Sequence, residues 1–186
     1  MTIEVDLHSD TQTRPSEGMR HAMVSAEVGD EQRGEDPSAN RLCELATELT
    51  GKEAAVFMPS GTMCNQVAMI VHCQPGDEII ADKTSHIINS ESGGAAALAG
   101  AQIRAVDGIR GVFTAEQAEE AINSVKRNFP RTSMIEIEQT SNAGGGSIWP
   151  LETICEVADV AKRHGLAMHM DGARLLNAVV ASNVTA

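Results

Sequence analysis

The sequence has 186 residues, 42% of them hydrophobic and only 2% aromatic, with a formal net charge of -12. Its length suits one compact domain with a sizeable core. With three Phe, one Trp and no Tyr, that core must be built from Ala, Val, Ile, Leu and Met, and no tyrosine can act as acid or base. The acidic balance argues against nucleic acid or an anionic membrane as a partner, because both draw on clustered Lys and Arg.

The opening residues, Met1-Thr-Ile-Glu-Val-Asp6, carry neither a basic region nor an apolar run. No stretch approaches about 18 uninterrupted apolar residues, so a cytoplasmic protein outside the membrane is expected. Residues 1–15 are polar and read as an arm preceding a core that runs over 16–186. Cys43, Cys64, Cys73 and Cys155 form no C-x-x-C pair and are expected to be reduced and mostly buried. No ligand spacing calls for a metal ion.

Apolar spacing predicts a helix over 36–50, where Leu42, Leu45 and Leu49 share a face, Pro37 suits the first turn and Gly51 follows the end. Residues 54–58 read as a strand, 60–73 as a helix closed by a turn at 74–77, and 78–82 as a second strand. A helix over 85–98 and a strand over 101–106 follow. Thr114-Ala-Glu-Gln117 is a capping box opening a helix to about Lys126. Then come a strand over 133–138, a glycine-rich loop over 142–147, a helix over 150–164 and a strand over 166–170. Strands alternating with helices imply an α/β fold with a largely parallel sheet flanked by helices. Ligands of such sheets collect beyond the carboxyl ends of the strands, which directs attention to the strand-to-helix turns.

Ser60-Gly61-Thr62 is one such turn. Two hydroxyls, a glycine and the unpaired N–H groups of a helix start make a cradle for a small anion. The plain alternative is that Ser60 or Thr62 caps the helix. Asp171-Gly172-Ala173-Arg174 places a carboxylate at a strand tip and a guanidinium about one turn later. Asp171 there suits a protonated heterocyclic nitrogen and Arg174 a carboxylate, or the two form a structural ion pair. His86 and Glu91 lie five residues apart after a strand; an imidazole there suits ring stacking or proton transfer, or both are ordinary helical residues.

Four strings together resemble the threonine aldolase family: Asp6-Leu-His-Ser-Asp-Thr-Gln-Thr-Arg-Pro15, Gly34-Glu-Asp-Pro37, Gly51-Lys-Glu-Ala-Ala-Val-Phe-Met-Pro-Ser-Gly-Thr62 and His169-Met-Asp-Gly-Ala-Arg174. The resemblance runs through essentially the whole chain. It implies an aspartate-aminotransferase-like, fold type I large domain that is incomplete, and pyridoxal 5'-phosphate (PLP) as cofactor. It further implies that Ser60, Gly61 and Thr62 hold the phosphate, His86 stacks on the pyridine ring and Asp171 pairs with its nitrogen. Ser9 and Arg174 would bind the substrate carboxylate, and Glu91 is the family's active-site glutamate.

The implied activity is cleavage of a β-hydroxy amino acid, threonine-like, to glycine and an aldehyde, in a homo-oligomer. The family's cofactor lysine lies in a Ser-Lys-Gly-like segment beyond Arg174, and the sequence reaches Ala186 first; Lys52, Lys83, Lys126 and Lys162 are not in that place. Either a second chain supplying the remainder, or a truncated product that lacks its C-terminal part, is therefore expected. Arg33 stands where many members have tyrosine, and Ser141 where they have histidine, both bearing on substrate choice. Another PLP reaction such as β-elimination, and a non-catalytic assembly subunit, are the alternatives.

Overall fold

Runs of branched and small apolar residues become strands where a neighbour supplies the hydrogen-bond ladder. In the computed structural model, which describes residue 5 and residues 7–186, four strands do so: β1 (Glu78–Asp82), β2 (Gln102–Val106), β3 (Thr132–Glu138) and β4 (Ala167–Asp171). They form one sheet in the order β2-β1-β3-β4, every pair parallel. β1 and β3 are buried along their whole length, as central strands covered on both faces must be. β2 and β4 are more open.

Alternate residues of the strands feed two cores. On one face Ile80, Val106, Ile135 and Ile137 pack with Phe113, Trp149, Val157 and Val160. These residues come largely from β1–β3 and from α6 (Leu151–His164), with α5 (Ala115–Ala121) contributing Ala118. Phe113 and Trp149 meet edge to face with centroids 4.8 Å apart. On the other face Ile79, Ala81 and Met134 pack with Met69 of α3 (Gly61–His72) and with Ile87 of the short α4 (His86–Asn89). Ala95 and Ala99, from a single π-helical turn over Ala95–Ala99, complete that layer.

The chain divides into two compact units, Met1–Phe57 and Met58–Ala186. The sheet belongs to the second. The first contains α1 (Glu17–Ser25), capped by Ser16, and α2 (Pro37–Thr50). Asp36 Oδ1 accepts the Ala39 N–H at 2.8 Å, and Gly51 ends α2 in a left-handed conformation, as the Pro37 and Gly51 signals predict. Leu42, Leu45 and Leu49 of α2 are each about half exposed.

Several expectations are corrected. Residues 54–58 form no strand; no neighbour pairs with them among the described residues, and Val56 and Phe57 are exposed. The helix expected over 85–98 is broken after Asn89, because Ser92 and Gly93 adopt positive φ values that an α-helix does not admit. α5 stops at Ala121 rather than near residue 126. There the Asn123 N–H turns to Thr132 Oγ1 at 3.0 Å and its side chain to Glu78 Oε1 at 2.7 Å, tying the chain to the sheet. Cys64 and Cys155 are exposed, since they lie off the buried stripes of α3 and α6; only Cys73 is buried. α1 and α7 (Leu175–Ser182) were not anticipated. Among the described residues no helix is long and apolar enough to cross a membrane.

Candidate active site

The order β2-β1-β3-β4 sends the chain leaving β1 to one side and the chain leaving β3 to the other, opening a crevice at their carboxyl ends. His86 follows β1 after a short turn, Glu138 ends β3 and Asp171 ends β4. Glu138 ties the crevice together: Oε2 accepts the His86 N–H at 2.9 Å and Oε1 the Asn142 N–H at 2.8 Å. A cleft of about 230 Å³ beside it is lined by Lys83, Thr84, His86, Asn89, Glu138 and Asn142.

His86, Glu91 and Asp171 converge, with one ligand atom of each lying within 4.8 Å of the others. His86 Nδ1 is 2.9 Å from Glu91 Oε1, and the imidazole keeps about a third of its surface exposed while the carboxylate is buried. The break at Ser92 and Gly93 lets Glu91 turn inward, where a continued helix would carry it around the outside. Although the three side chains resemble a metal-binding set, no ion is needed to explain their arrangement, because each carboxylate already has donors.

Those donors come from α3. Asn65 Nδ2 lies 2.8 Å from Glu91 Oε1 and 2.8 Å from Asp171 Oδ2. Gln66 Nε2 reaches Glu91 Oε2 at 2.5 Å, and His169 Nε2 reaches Asn65 Oδ1 at 2.8 Å. The other oxygen of Asp171, Oδ1, accepts the Ala173 N–H at 3.1 Å. Asn65, Gln66 and His169 were not singled out from sequence. The available signal was a pair of adjacent amides, Asn65-Gln66, on an otherwise apolar helix, one turn beyond the Ser60-Gly61-Thr62 turn.

At the start of α3 Ser60 does cap the helix, its Oγ accepting the Met63 N–H at 3.2 Å. The Cys64 N–H goes to the Ser60 carbonyl, leaving the N–H groups of Gly61 and Thr62 available among the described residues. Thr62 stands three residues before Asn65, a rise of about 4.5 Å along the helix. The turn and the Asp171 carboxylate thus bracket a short span within one unit. Arg174 lies half-buried at the start of α7, its N–H donating to the Gln139 carbonyl at 3.2 Å.

Two expected site residues fall in the first unit. Ser9 caps a 3-10 turn over Asp10–Gln12, with its Oγ 2.7 Å from Thr11 Oγ1. Arg33 ends a 3-10 turn and sits 3.7 Å from Asp30. Asp6 of the first motif lies outside the described residues.

A buried carboxyl and a partly buried imidazole lie close to the trio. Burial, then the carboxylates of Glu138, Asp171, Glu91 and Asp82, push the Glu136 carboxyl well above the usual range. Burial also lowers His169, against the opposing pull of Asp171. Neither Glu136 oxygen has a hydrogen-bond partner among the described residues.

Residues 6–186 match the family described as beta-eliminating lyase. The chain belongs to the beta-eliminating lyase family. Within it, the chain is 42% identical over 178 residues to the low specificity L-threonine aldolase of Escherichia coli K12, covering 95% of this chain and 53% of that protein. It is 43% identical over 184 residues to the low-specificity L-threonine aldolase 1 of Arabidopsis thaliana, covering 97% and 51%. This member of the family therefore spans about half the length of the curated relatives it matches.

Among solved structures it is similar to the threonine aldolase of Leishmania major, with a TM-score of 0.74 and 23% identity over 87% of this chain and 46% of that one. A serine palmitoyltransferase variant from S. paucimobilis with a bound PLP–myriocin aldimine aligns with a TM-score of 0.59 and 17% identity over 81% and 37%. Both likenesses bear on the fold, and they agree with a partial fold type I sheet.

Proposed function

We propose that the protein containing this chain is a PLP-dependent lyase that cleaves a β-hydroxy amino acid of the threonine type to glycine and an aldehyde. The observation that carries the reading is the meeting of His86, Glu91 and Asp171 within 4.8 Å at the carboxyl edge of the sheet. The Ser60-Gly61-Thr62 turn starts the same helix that supplies their donors.

The residues fit PLP. Gly61 and Thr62 offer two N–H groups and a helix N-terminus to a phosphate, and a Cβ at Gly61 would meet nothing within 4 Å, so approach to that turn is open. Ser60 accepts from Met63 and keeps its own O–H to donate. Asp171, oriented by Asn65 and by the Ala173 N–H, is the carboxylate that would accept from a protonated pyridine nitrogen. His86 presents a partly open ring held at Nδ1 by Glu91. When bound, PLP supplies an electron sink for a bond broken at the substrate Cα.

The chain's own residues do the rest. Glu91 accepts from His86 Nδ1, which directs His86 Nε2 to receive the β-hydroxyl proton as general base. Arg174 binds the substrate carboxylate, a role the family motifs also imply for Ser9, whereas Arg33 departs from the tyrosine of many members and bears on which substrate is accepted. Ser141 is not a base: its buried hydroxyl accepts the Gly144 N–H at 3.2 Å and so shapes the loop after β3.

Because the chain spans about half the length of its relatives, the cofactor lysine is assigned to the remaining half of the protein, or to a second chain. Lys83, which shares the cleft with His86, is engaged with Asp107 at 2.6 Å. Residues 16–186 belong to the cofactor-binding part, the arm proposed for 1–15 lies partly outside the described residues, and the protein works as a cytoplasmic homo-oligomer. The test is incubation of the complete assembly with PLP and threonine. Glycine and acetaldehyde in equal amounts support the reading, whereas ammonia and a keto acid would replace it with β-elimination.

A further inference from the structure

We infer that Asn65 is the positioning residue of this site, fixing the directions of Glu91 and Asp171 and the tautomer of His169 through a single side-chain amide. The argument begins with donor and acceptor counts. One end of the amide lies 2.8 Å from two carboxylate oxygens, Glu91 Oε1 and Asp171 Oδ2. A carboxylate only accepts, so a carbonyl oxygen there would face two acceptors. The NH2 group must occupy that end, one hydrogen for each carboxylate.

The amide oxygen then necessarily faces His169 Nε2, at 2.8 Å. An oxygen acceptor requires Nε2 to carry the proton. Burial lowers the affinity of His169 for a second proton, so Nδ1 is left with its lone pair. Around the imidazole stand Asp171, Glu91 and His72, whose charges act on it, and Glu136, its register partner on β3. His169 is thereby a neutral donor that locks the amide, and the amide locks both carboxylates.

This deepens the proposed function, since it rests on Glu91 and Asp171 being the groups that meet the cofactor and His86. Its test does not require catalysis. The full chain, labelled with nitrogen-15 and free of cofactor, is examined by long-range proton-nitrogen NMR at neutral pH, with Asn65→Leu and Asn65→Asp alongside and His169→Gln to assign the ring signals. The expected result is an Nε2–H signature for His169 in the parent. Asn65→Leu should give averaged signals of both tautomers. Asn65→Asp, which retains an acceptor, should keep the Nε2–H signature while binding PLP at least about tenfold more weakly, because it sets a third carboxylate against the other two.

An Nδ1–H signature in the parent overturns the inference, and so does an unchanged signature in a folded Asn65→Leu. Should Asn65→Leu fail to fold, the parent and Asn65→Asp spectra decide: loss of Nε2–H in the Asp variant overturns the inference. A parent that shows Nε2–H while the complete assembly binds no PLP counts against the proposed function and supports the positioning role of Asn65.

Discussion

Glu136 and His169 stand opposite each other on the paired strands β3 and β4, and burial drives them in opposite senses, the carboxyl upward and the imidazole downward. Both shifts favour the uncharged form. The site therefore rests on two groups biased toward their uncharged forms, above which Glu91 and Asp171 take a shared donor, Asn65, from α3.

Glu136 makes stability fall as pH rises. Its folded value lies above the ordinary 4.5, so from about pH 4.5 upward the unfolded chain gives up this proton first and gains relative to the folded one. Glu136→Gln keeps the shape without the ionisation. Urea titrations from pH 4 to 8 should show parent and variant alike near pH 4 and the variant about 1–3 kcal/mol more stable at pH 7. An equal pH slope in both would remove Glu136 as its source.

His169 acts at the other end of the scale. Its folded value lies below the ordinary 6.5, so its contribution is complete above pH 6.5 and is lost as pH falls through the lowered value. His169→Gln should flatten the stability curve below pH 6.5 and leave the Glu136 slope in place. The same denaturation series measures both.

Asp171→Asn retains a side chain of the same size beside Asn65 but cannot hold a pyridinium proton. PLP should bind at least about tenfold more weakly, and aldehyde release in the complete assembly should fall by about 10²–10⁴. Equilibrium dialysis separates the two effects. Unchanged cofactor affinity together with unchanged turnover would place the pyridine nitrogen elsewhere.

Much of this was legible from residue order because local signals and tertiary packing agree. Asp36, Pro37 and Gly51 delimit α2, and Gly165 ends α6 in the left-handed conformation expected of it. The strand expected at 54–58 failed because a strand depends on a neighbour, which no local pattern supplies. The helix expected over 85–98 failed because Ser92, a residue without glycine's freedom, takes a positive φ; helical spacing carries no trace of that. Of the site, His86, Glu91 and Asp171 could be named from motifs. Asn65 could not, since its meaning depends on Asp171, 106 residues away, and on a histidine two positions before it. Nothing in residue order sets Glu136 apart within its strand; only its burial does.

Two glycines near the site should respond oppositely to alanine. A Cβ at Gly94 would fall 2.3–2.4 Å from the Gln66 side-chain amide, which is buried and donates to Glu91. Gln66 must move, Glu91 loses a donor, and Gly94→Ala should cost about 1–3 kcal/mol for the unpaired buried group. At Gly61 the same methyl meets nothing within 4 Å and the position is helical, so alanine should be neutral or stabilising by up to about 1 kcal/mol. That methyl nevertheless stands beside the N–H groups offered to phosphate, so Gly61→Ala should weaken PLP binding in a protein of undiminished stability. Thermal denaturation and PLP titration of the two variants together test the arrangement. A Gly61→Ala variant that binds PLP as tightly as the parent would move the phosphate away from the start of α3.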